Sequence, residues 1–256
     1  MTPALLVLAI KIASSASPGS GDLTLPQLLA CHDSAVGGPA LRAVQRLEYR
    51  ISIEEGGTTL RGRYRATRDG RMRIDVFAAD STRVFSEGWD GQHGWELRQG
   101  AAASTPASPP AAAALRHGLA QPGHLWTLAD MKRNGHAVAL AGRETIDTTS
   151  YYVVRLTLSD GFRVWYLLDP TTCLIVRKRD FRAFHPNLDR QQKWVESVFD
   201  EFRSEHGITR PYRERSVDRA TGKTLSTTRV LAIDLEPRFD PGTMTPRPNA
   251  SAPMPP

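Results

Sequence analysis

Residues 67–77 read Thr-Arg-Asp-Gly-Arg-Met-Arg-Ile-Asp-Val-Phe, and this stretch is the strongest indication of the fold. The Asp-Gly pair at 69–70 suits a tight hairpin turn, whose two central positions need the positive φ that glycine adopts freely and aspartate tolerates. After the turn, Met72, Ile74 and Val76 alternate with polar residues. This period-2 pattern indicates a strand with one buried and one exposed face. The stretch therefore predicts an antiparallel hairpin.

The same signal recurs along the chain, and its repetition predicts a mainly β protein. Asp-Gly pairs at 90–91 and 160–161 also separate runs that alternate apolar and polar residues. With the other alternating runs, they give about eleven or twelve antiparallel strands. We expect an N-terminal helix before the strands. Thr24 and Pro26 suit the start of a helix, and Gly37-Gly38-Pro39 would end it. A second short helix is expected at 40–46.

The middle of the chain interrupts the strand pattern. Residues 101–114 contain only Ala, Pro, Ser and Thr, so we predict a flexible loop there. Residues 115–131 place apolar residues at loose helical spacing, and the Pro122-Gly123 pair predicts two short helices. The sequence indicates a single domain over 22–240, and a Pro-rich disordered tail is predicted at 241–256.

The N-terminus has the composition of an export signal. Residues 4–10 are apolar and residues 13–16 are small, so 1–16 is predicted to be a signal peptide. No basic residue precedes the apolar run and Lys11 interrupts it, which leaves a hydrophobic start to the mature chain as the alternative. No later run reaches the roughly 20 apolar residues of a membrane-spanning helix.

The 256 residues carry a formal net charge of +6. Such a charge suits an anionic partner, but arginines such as Arg61, Arg63 and Arg65 alternate with apolar residues along predicted strands. We therefore interpret them as a solvated outer sheet face. No zinc-finger spacing, basic helix or RNA-binding aromatic motif accompanies the charge, so no nucleic-acid partner is expected.

The only two cysteines are Cys31 and Cys173. They could pair in an oxidising compartment or remain two buried free thiols. A third possibility is lipidation of Cys31 after Leu28-Leu29-Ala30. The polar break at 14–22 disfavours that, because a lipoprotein signal places its apolar run directly before the cysteine.

Sequence motifs for catalysis or for bound groups are missing. The seven histidines show no metal-ligand spacing and are interpreted as scattered surface residues. No nucleophile elbow, phosphate-binding loop or nucleotide fingerprint occurs. We predict no catalytic residue, no metal and no cofactor, and expect that the protein is not an enzyme. Two facing carboxylates, or a histidine beside a nucleophile, would favour an enzyme acting on a lipid or glycan instead.

The order of the turn and aromatic motifs resembles the LolA-like family of periplasmic outer-membrane lipoprotein-sorting proteins. The resemblance spans nearly the whole presumed mature chain and depends on spacing, since each motif alone is weak. The motifs are Ala35-Val36-Gly37-Gly38 with Leu41, Trp89-Asp90-Gly91-x-x-Gly94-Trp95, Asp160-Gly161 followed by Trp165-Tyr166-x-x-Asp169-Pro170, Gly207-Ile208-x-x-Pro211, and Phe239-x-Pro241.

The resemblance implies an open, curved antiparallel sheet, an incomplete β-barrel of about eleven strands, with a helical lid at 115–131. It also implies a hydrophobic cavity that holds acyl chains of lipoproteins or other lipids. Apolar residues of the strands and insert are the candidates for its lining. They are Tyr64, Met72, Ile74, Val76, Phe85, Trp95, Leu119, Leu125, Trp126, Leu128, Met131, Val154, Leu156 and Trp165.

The functional expectation is a non-enzymatic periplasmic carrier in outer-membrane lipoprotein sorting or lipid transport. Its partners would be lipoprotein acyl chains or lipid, an envelope transport complex and the membrane surface, and the protein is expected to be monomeric. The alternative is an envelope scaffold that docks on a membrane or protein through its basic outer face.

Overall fold

A computed structural model describes residues 22–246, and its main feature is one open antiparallel sheet of thirteen strands. The strands are β1 (Arg46–Glu55), β2 (Thr58–Thr67), β3 (Arg71–Phe77), β4 (Arg83–Trp89), β5 (Gly94–Arg98), β6 (Thr105–Pro106), β7 (Ala137–Ile146), β8 (Thr149–Thr157), β9 (Arg163–Leu168), β10 (Ile175–Ala183), β11 (Gln192–Glu205), β12 (Ile208–Asp218) and β13 (Thr224–Leu235). The predicted mainly β class is confirmed, with thirteen strands where about eleven were expected.

The strand order is β6-β5-β4-β3-β2-β1-β13-β12-β11-β10-β9-β8-β7. The chain thus runs outward from the middle of the sheet to β6, crosses to the far edge, and returns strand by strand until β13 pairs with β1. Strands β6 and β7 do not pair, so the sheet stays open. The crossing segment contains the helical insert predicted from the sequence.

Four α-helices and one short 3-10 helix accompany the sheet in the part of the chain that the structure describes. They are α1 (Leu25–Ala35), α2 (Gly38–Ala43), α3 (Pro109–Ala120), α4 (Leu128–Arg133) and the 3-10 helix Pro241–Met244. The predicted start of α1 is confirmed, and the Thr24 amide donates to Gln27 Oε1 at 2.9 Å. Helix α2 lies earlier than the predicted 40–46 because Pro39 fits its first turn and Arg46 already begins β1.

The helical insert begins earlier than predicted. Helix α3 starts at Pro109, inside the stretch 101–114 that was predicted to be a flexible loop, and β6 also lies within it. Two prolines suit the first helical turn, and the alanines that follow have the highest helix propensity. Ala111 and Leu115 are buried. The insert therefore spans 109–133 instead of 115–131.

The Asp-Gly hairpins form, but with a turn type other than the predicted one. Only glycine has a positive φ, +89° at Gly70 and +90° at Gly161. The Gly70 amide donates to the Thr67 carbonyl at 3.1 Å, and the Gly161 amide donates to the Leu158 carbonyl at 2.9 Å. These two hairpins have the three-residue loop in which a left-handed glycine follows a type I turn. The Asp90-Gly91 pair lies in a four-residue loop instead, because Trp89 pairs with Gly94. The prediction of two paired strands still holds, because the three-residue loop too requires a glycine with a positive φ between them.

The chain remains ordered beyond residue 240, so the predicted start of the disordered tail at 241 is wrong. The Trp95 indole Nε1 donates to the Met244 carbonyl at 3.3 Å, and Arg73 Nη1 donates to the Thr243 carbonyl at 3.0 Å. Met244 is only 2% exposed. The predicted signal peptide at 1–16 and the remainder of the tail from 247 lie outside the described residues.

A disulfide joins Cys31 of α1 to Cys173 in the β9–β10 turn. Of the alternatives left open by the sequence, pairing is therefore the one found, and it occupies the sulfur that lipidation of Cys31 would use. Beside it, His32 is 3% exposed and its Nδ1 lies 3.0 Å from the Cys173 carbonyl oxygen. The interpretation of all histidines as surface residues is wrong for His32.

Two apolar clusters lie on the inner face of the sheet. The first packs α1 and α4 against β7–β9 through residues such as Leu28, Leu128 and Val154. The second packs α2 and α3 against β1–β3 through Leu41, Leu47 and other residues. In residues 22–246, the helices are too short or too polar to cross a lipid bilayer.

The outer face of β1–β3 carries an ion-pair network. Arg65 lies 2.7 Å from Glu48 and 3.1 Å from Asp75, and Arg73 lies 2.7 Å from Asp75. Asp75 is buried and also accepts from Ser86 Oγ at 2.6 Å. The alternating arginines therefore do mark the outer face of the sheet. Some of them, however, form ion pairs with partly buried carboxylates and are not freely solvated.

Candidate ligand-binding cavity

A cavity of about 380 Å³ lies between the inner face of the sheet and the loop that joins α3 to α4. Ile74 of β3 and Tyr166 of β9 both line it. These strands are seven neighbours apart in the sheet order, which is about 34 Å in a flat sheet. Because one cavity touches both, the sheet curves strongly around it, as the open-barrel prediction requires.

One wall of the cavity is aliphatic and aromatic. It follows from strand alternation, since Ile51 and Ile53 of β1 point to the same face and pair in register with Val230 and Thr228 of β13. On the far side, Phe199 and Phe202 of β11 also line the cavity. Glu201 between them has a left-handed φ of +52°, while the register of β11 with β12 is the same on both sides of it.

The loop 121–127 covers the cavity and is fixed to the sheet on both sides. Tyr166 donates its hydroxyl to Gln121 Oε1 at 3.1 Å. Arg68, in the β2–β3 turn, donates to the carbonyls of Leu41 at 2.7 Å, Val44 at 2.9 Å and Leu125 at 2.8 Å. Its guanidinium also lies 4.5 Å from the Trp126 ring. One arginine thus connects α2, the sheet and the covering loop.

A polar cluster forms one part of the cavity lining. The rings of Tyr64 and His124 stack with centroids 4.6 Å apart, and Tyr49 lies 5.5 Å from His124. Arg210 of β12 donates Nη1 to the Tyr49 hydroxyl and, at 2.9 Å, to the His124 carbonyl. All four residues line the cavity. The cavity is therefore amphipathic.

Burial determines the protonation of this cluster. Desolvation, with the nearby Arg210 charge, lowers the pKa of His124 to about 4, so its imidazole is neutral at neutral pH. Desolvation also raises the pKa of Tyr49 and of Tyr64, which keeps both hydroxyls protonated. Arg210 is the permanent charge of the cluster.

Three of the predicted cavity residues line the cavity: Tyr64, Ile74 and Trp126. The others on the inner face pack into the two apolar clusters or beside them instead. Met72, Leu119 and Leu125 belong to or pack against the second cluster. The first cluster takes in Leu128, Met131, Val154 and Leu156, each of which is fully buried.

Four predicted cavity residues lie away from the cavity. Val76 and Phe85 face each other across β3 and β4, beyond the cavity lining. Trp95 lies over Gly88 on the outer face, beside Arg73, and Trp165 packs edge-on against Trp194 at 5.3 Å, also on the outer face. Aromatic type alone selected these tryptophans, whereas strand alternation assigns both to the outer face.

The sequence interpretation missed several lining residues: His32, Tyr49, His124, Phe199, Phe202 and Arg210. A signal existed for two of them. Tyr49 is two residues from both Leu47 and Ile51, and Arg210 is two residues from both Ile208 and Tyr212. Residues two apart on a strand share a face, so both positions belong to an inner strand face. The position of His124 depends on the path of a loop, which no periodic pattern predicts.

The structure also shows where facing carboxylates and potential metal ligands lie relative to the cavity. Glu87 and Glu96 face each other across β4 and β5, but neither lines this cavity, and Glu96 pairs with Arg98 at 3.0 Å. Among residues 22–246, no group of three or more His, Cys, Asp or Glu side chains is placed to hold a metal ion. The lining of the cavity is suited to binding.

Comparison with known proteins identifies the fold. No family model matches the sequence, and no curated protein matches it significantly. Among solved structures, a LolA superfamily protein from Nitrosomonas europaea has a TM-score of 0.55 at 13% identity, covering 85% of this chain and 96% of that one. A DUF1329 family protein from Desulfovibrio piger has a TM-score of 0.54 at 14% identity, covering 84% and 95%.

A third similar structure is a putative outer membrane lipoprotein-sorting protein domain from Vibrio parahaemolyticus, with a TM-score of 0.50 at 8% identity, covering 84% of this chain and 97% of that one. The chain thus belongs structurally to a class in which an open antiparallel sheet surrounds a cavity beneath helices. Within that class its fold is LolA-like, which confirms the fold that the sequence resemblance implied.

Proposed function

We propose that this protein is a non-enzymatic carrier that holds acyl chains in its cavity and acts in the cell envelope, in lipoprotein sorting or lipid transport. The observation that carries the proposal is the cavity of about 380 Å³ beneath the loop between α3 and α4, with Ile51, Ile53, Val230 and Phe199 in its walls. This volume lies within the range of roughly 300–1,000 Å³ typical of small-molecule sites.

Burial alone can supply the affinity of such a carrier. Each methylene moved from water into an apolar site contributes about 0.8 kcal/mol, so ten buried methylenes give about 8 kcal/mol before the cost of association. No catalytic group is needed for this task. The walls of the cavity and its covering loop, fixed by Arg68 and Gln121, are therefore the functional parts of the molecule.

Two observations support a role in the envelope. The similar domain from Vibrio parahaemolyticus is described as a putative outer membrane lipoprotein-sorting protein domain, and this chain shares its fold. The Cys31–Cys173 disulfide favours an oxidising compartment, since cytosolic reductants keep such thiols reduced. Export through a signal peptide at 1–16 remains a prediction.

Native mass spectrometry with a matched pair of variants tests the carrier. Val230 lines the cavity, whereas the next residue, Leu231, is 61% exposed. Val230→Trp should fill the cavity and abolish the mass shift produced by a palmitoylated lipopeptide or a phospholipid, while Leu231→Trp should bind as the wild type does. A wild-type protein that gains no mass with either lipid would refute the carrier.

A second candidate is docking to a membrane surface through the outer face, and exposed aromatic residues favour it. Trp194 is 40% exposed and Phe181 is 46% exposed, and their rings lie 5.7 Å apart beside Trp165. The exposed Arg155 pairs with Trp165 across the sheet. Aromatic and basic groups together suit a lipid headgroup layer.

Vesicle binding distinguishes docking from carrying. If the outer face docks, binding to anionic vesicles should weaken with salt and with Trp194→Ser, and it should survive the cavity-filling Val230→Trp. Binding that is lost with Val230→Trp and kept with Trp194→Ser would exclude docking through this face.

A further inference from the structure

Arg210 is a buried cation directed into the cavity. It is 5% exposed, lies on β12 and lines the cavity. Its Nη1 is occupied by the Tyr49 hydroxyl and the His124 carbonyl, and its guanidinium lies 5.6 Å from the Tyr49 ring centroid. Neutral groups thus hold the side chain in place, and they supply no counter-charge.

The second terminal nitrogen of Arg210 has no acceptor. Nη2 is buried and makes no hydrogen bond within residues 22–246, and no carboxylate of that part of the chain lies within 4.0 Å of the guanidinium. The buried Arg179 pairs with Glu144 at 2.5 Å, and the half-buried Arg65 pairs with Glu48 at 2.7 Å. Arg68 has no carboxylate partner either, but it donates to three backbone carbonyls. Within residues 22–246, what distinguishes Arg210 is a buried terminal nitrogen that has no acceptor.

An unpaired buried charge calls for a partner. Removing a cation from water costs several kcal/mol unless an anion and hydrogen bonds compensate, so buried arginines are normally paired. The guanidinium fork matches the oxygens of a carboxylate or phosphate, with charge-assisted bonds stronger than neutral ones. The guanidinium is thus matched to an anionic oxygen that enters from the cavity, and Nη2, which has almost no accessible surface, donates to such a partner once a neighbouring side chain shifts.

The surroundings of Arg210 determine what else the ligand must contain. Its cluster passes directly into the apolar wall formed by Ile51, Val230 and Ile233. Lys178 adds a second cation to the lining and Glu214 an anion, so the cavity is not uniformly positive. A ligand with one anionic end and one apolar chain would accept a hydrogen bond from Arg210 and pack its chain against the apolar wall.

We propose that Arg210 binds the anionic head group of a single-chain amphiphile, whose acyl chain lies along the apolar wall of the cavity. The inference rests on the proposed carrier function and adds a head-group preference to it. The shared chemistry is an anionic oxygen at the end of one alkyl chain, from either a fatty acid or a phosphate-bearing lipid. The volume of about 380 Å³ suits one chain.

The experiment compares three probes that have the same alkyl chain: laurate, dodecyl phosphate and dodecanol. Isothermal titration at pH 8 should show that the wild-type protein binds at least one of the anions about 10- to 100-fold more tightly than dodecanol, the range expected for a charge-assisted hydrogen bond. A preference for laurate assigns a fatty-acid carboxylate, and a preference for dodecyl phosphate assigns a phosphate-bearing lipid.

Variants then assign the preference to one side chain. Arg210→Met should remove the preference and leave dodecanol binding within about twofold, whereas Arg210→Lys should retain part of it because the charge stays without the fork. Arg61→Met is the matched control: Arg61 is exposed, lies on the outer face, and its loss should change nothing.

The outcomes separate the two proposals. Equal wild-type affinity for all three probes would overturn the role of Arg210 and leave the carrier intact, and this readout needs no variant to fold. A preference that survives in Arg210→Met would overturn it as well. Failure of every probe and of the longer lipids to bind would remove the carrier itself.

Discussion

Glu87 is the carboxyl whose ionisation the fold most clearly opposes. It lies on β4, and burial together with the charge of the facing Glu96 raises its pKa to about 7, although Asn187 Nδ2 donates to Glu87 Oε2 at 3.1 Å. Its ordinary pKa is 4.5. The folded state therefore holds a proton that the unfolded state releases in the interval between these values.

The sign of the resulting pH dependence is fixed. As the pH rises from about 4.5 to about 7, Glu87 lowers the free energy of unfolding, and above that interval the full penalty is present. Glu87→Gln should raise stability at pH 8 by about 1–2 kcal/mol, allowing for screening at a partly exposed group, and change little at pH 4.5. Urea unfolding at both pH values measures this; equal effects at both would contradict the assignment.

Gly37 is a position where the backbone excludes any other residue. Its φ is +73°, and an added Cβ would lie 1.8 Å from the Gly207 carbonyl oxygen. Gly37→Ala should lower the free energy of unfolding by about 3 kcal/mol or more. Gly118 of α3 is the control, since a Cβ there meets open space, and Gly118→Ala should stabilise the protein by about 0.5–1 kcal/mol. Urea denaturation measures both variants, and a change of the same sign in their free energies of unfolding would contradict this prediction.

Between elements, Arg68 is one of the polar connections of the covering loop. It donates to carbonyls of α2, the segment after α2, and the loop at Leu125. Arg68→Met keeps much of the side-chain volume and removes these bonds, so we expect faster amide hydrogen exchange over 121–127 and a loss of about 1–3 kcal/mol. Arg71→Met, which loses only an exposed pair with Asp69, should leave that exchange unchanged. Unaltered exchange in Arg68→Met would show that apolar packing alone holds the loop.

The sequence predicted elements well where local chemistry determines them. The hairpin at 67–77 needs only a glycine with positive φ and an alternating strand, and α1 needs only its capping residues and Pro26. Helix α3 could not be placed from composition, because its alanines and prolines are ordered by contact with the sheet, including Ala112 against Gly94. The segment at Thr243 and Met244 is likewise ordered by Arg73 and Trp95, which are remote in sequence.

The candidate site was less predictable than the fold for a related reason. Hydrophobic type identifies residues that avoid water, but it does not separate a filled core from an open cavity. Leu128 and Val154 fill the core, whereas Ile74 and Trp126 line the space. The most informative lining residue, Arg210, is charged, so a search for apolar residues passed over it. The available signal was its spacing of two residues from Ile208, which places Arg210 on the same strand face as that apolar residue.

At the scale of the whole molecule, the disulfide connects the first helix to the far half of the sheet. Cys31 and Cys173 are 142 residues apart, and the bond joins α1 to the β9–β10 turn. Both neighbourhoods contribute to the cavity, through His32 and Val36 on one side and Leu174 and Ile175 on the other. The bond therefore fixes two parts of one cavity wall that the chain itself leaves far apart.

Replacement of both cysteines by serine should lower the free energy of unfolding by about 2–5 kcal/mol, because the unfolded chain regains the freedom of a long loop. Ligand affinity should fall too, since α1 would hold its part of the wall through packing alone. A reductant should lower the melting temperature of the wild type and leave the double variant unchanged, as calorimetry can measure. If the wild type and the variant melt together in oxidising buffer, the bond contributes no stability, and the integrity of the cavity depends on the apolar cluster around Leu28.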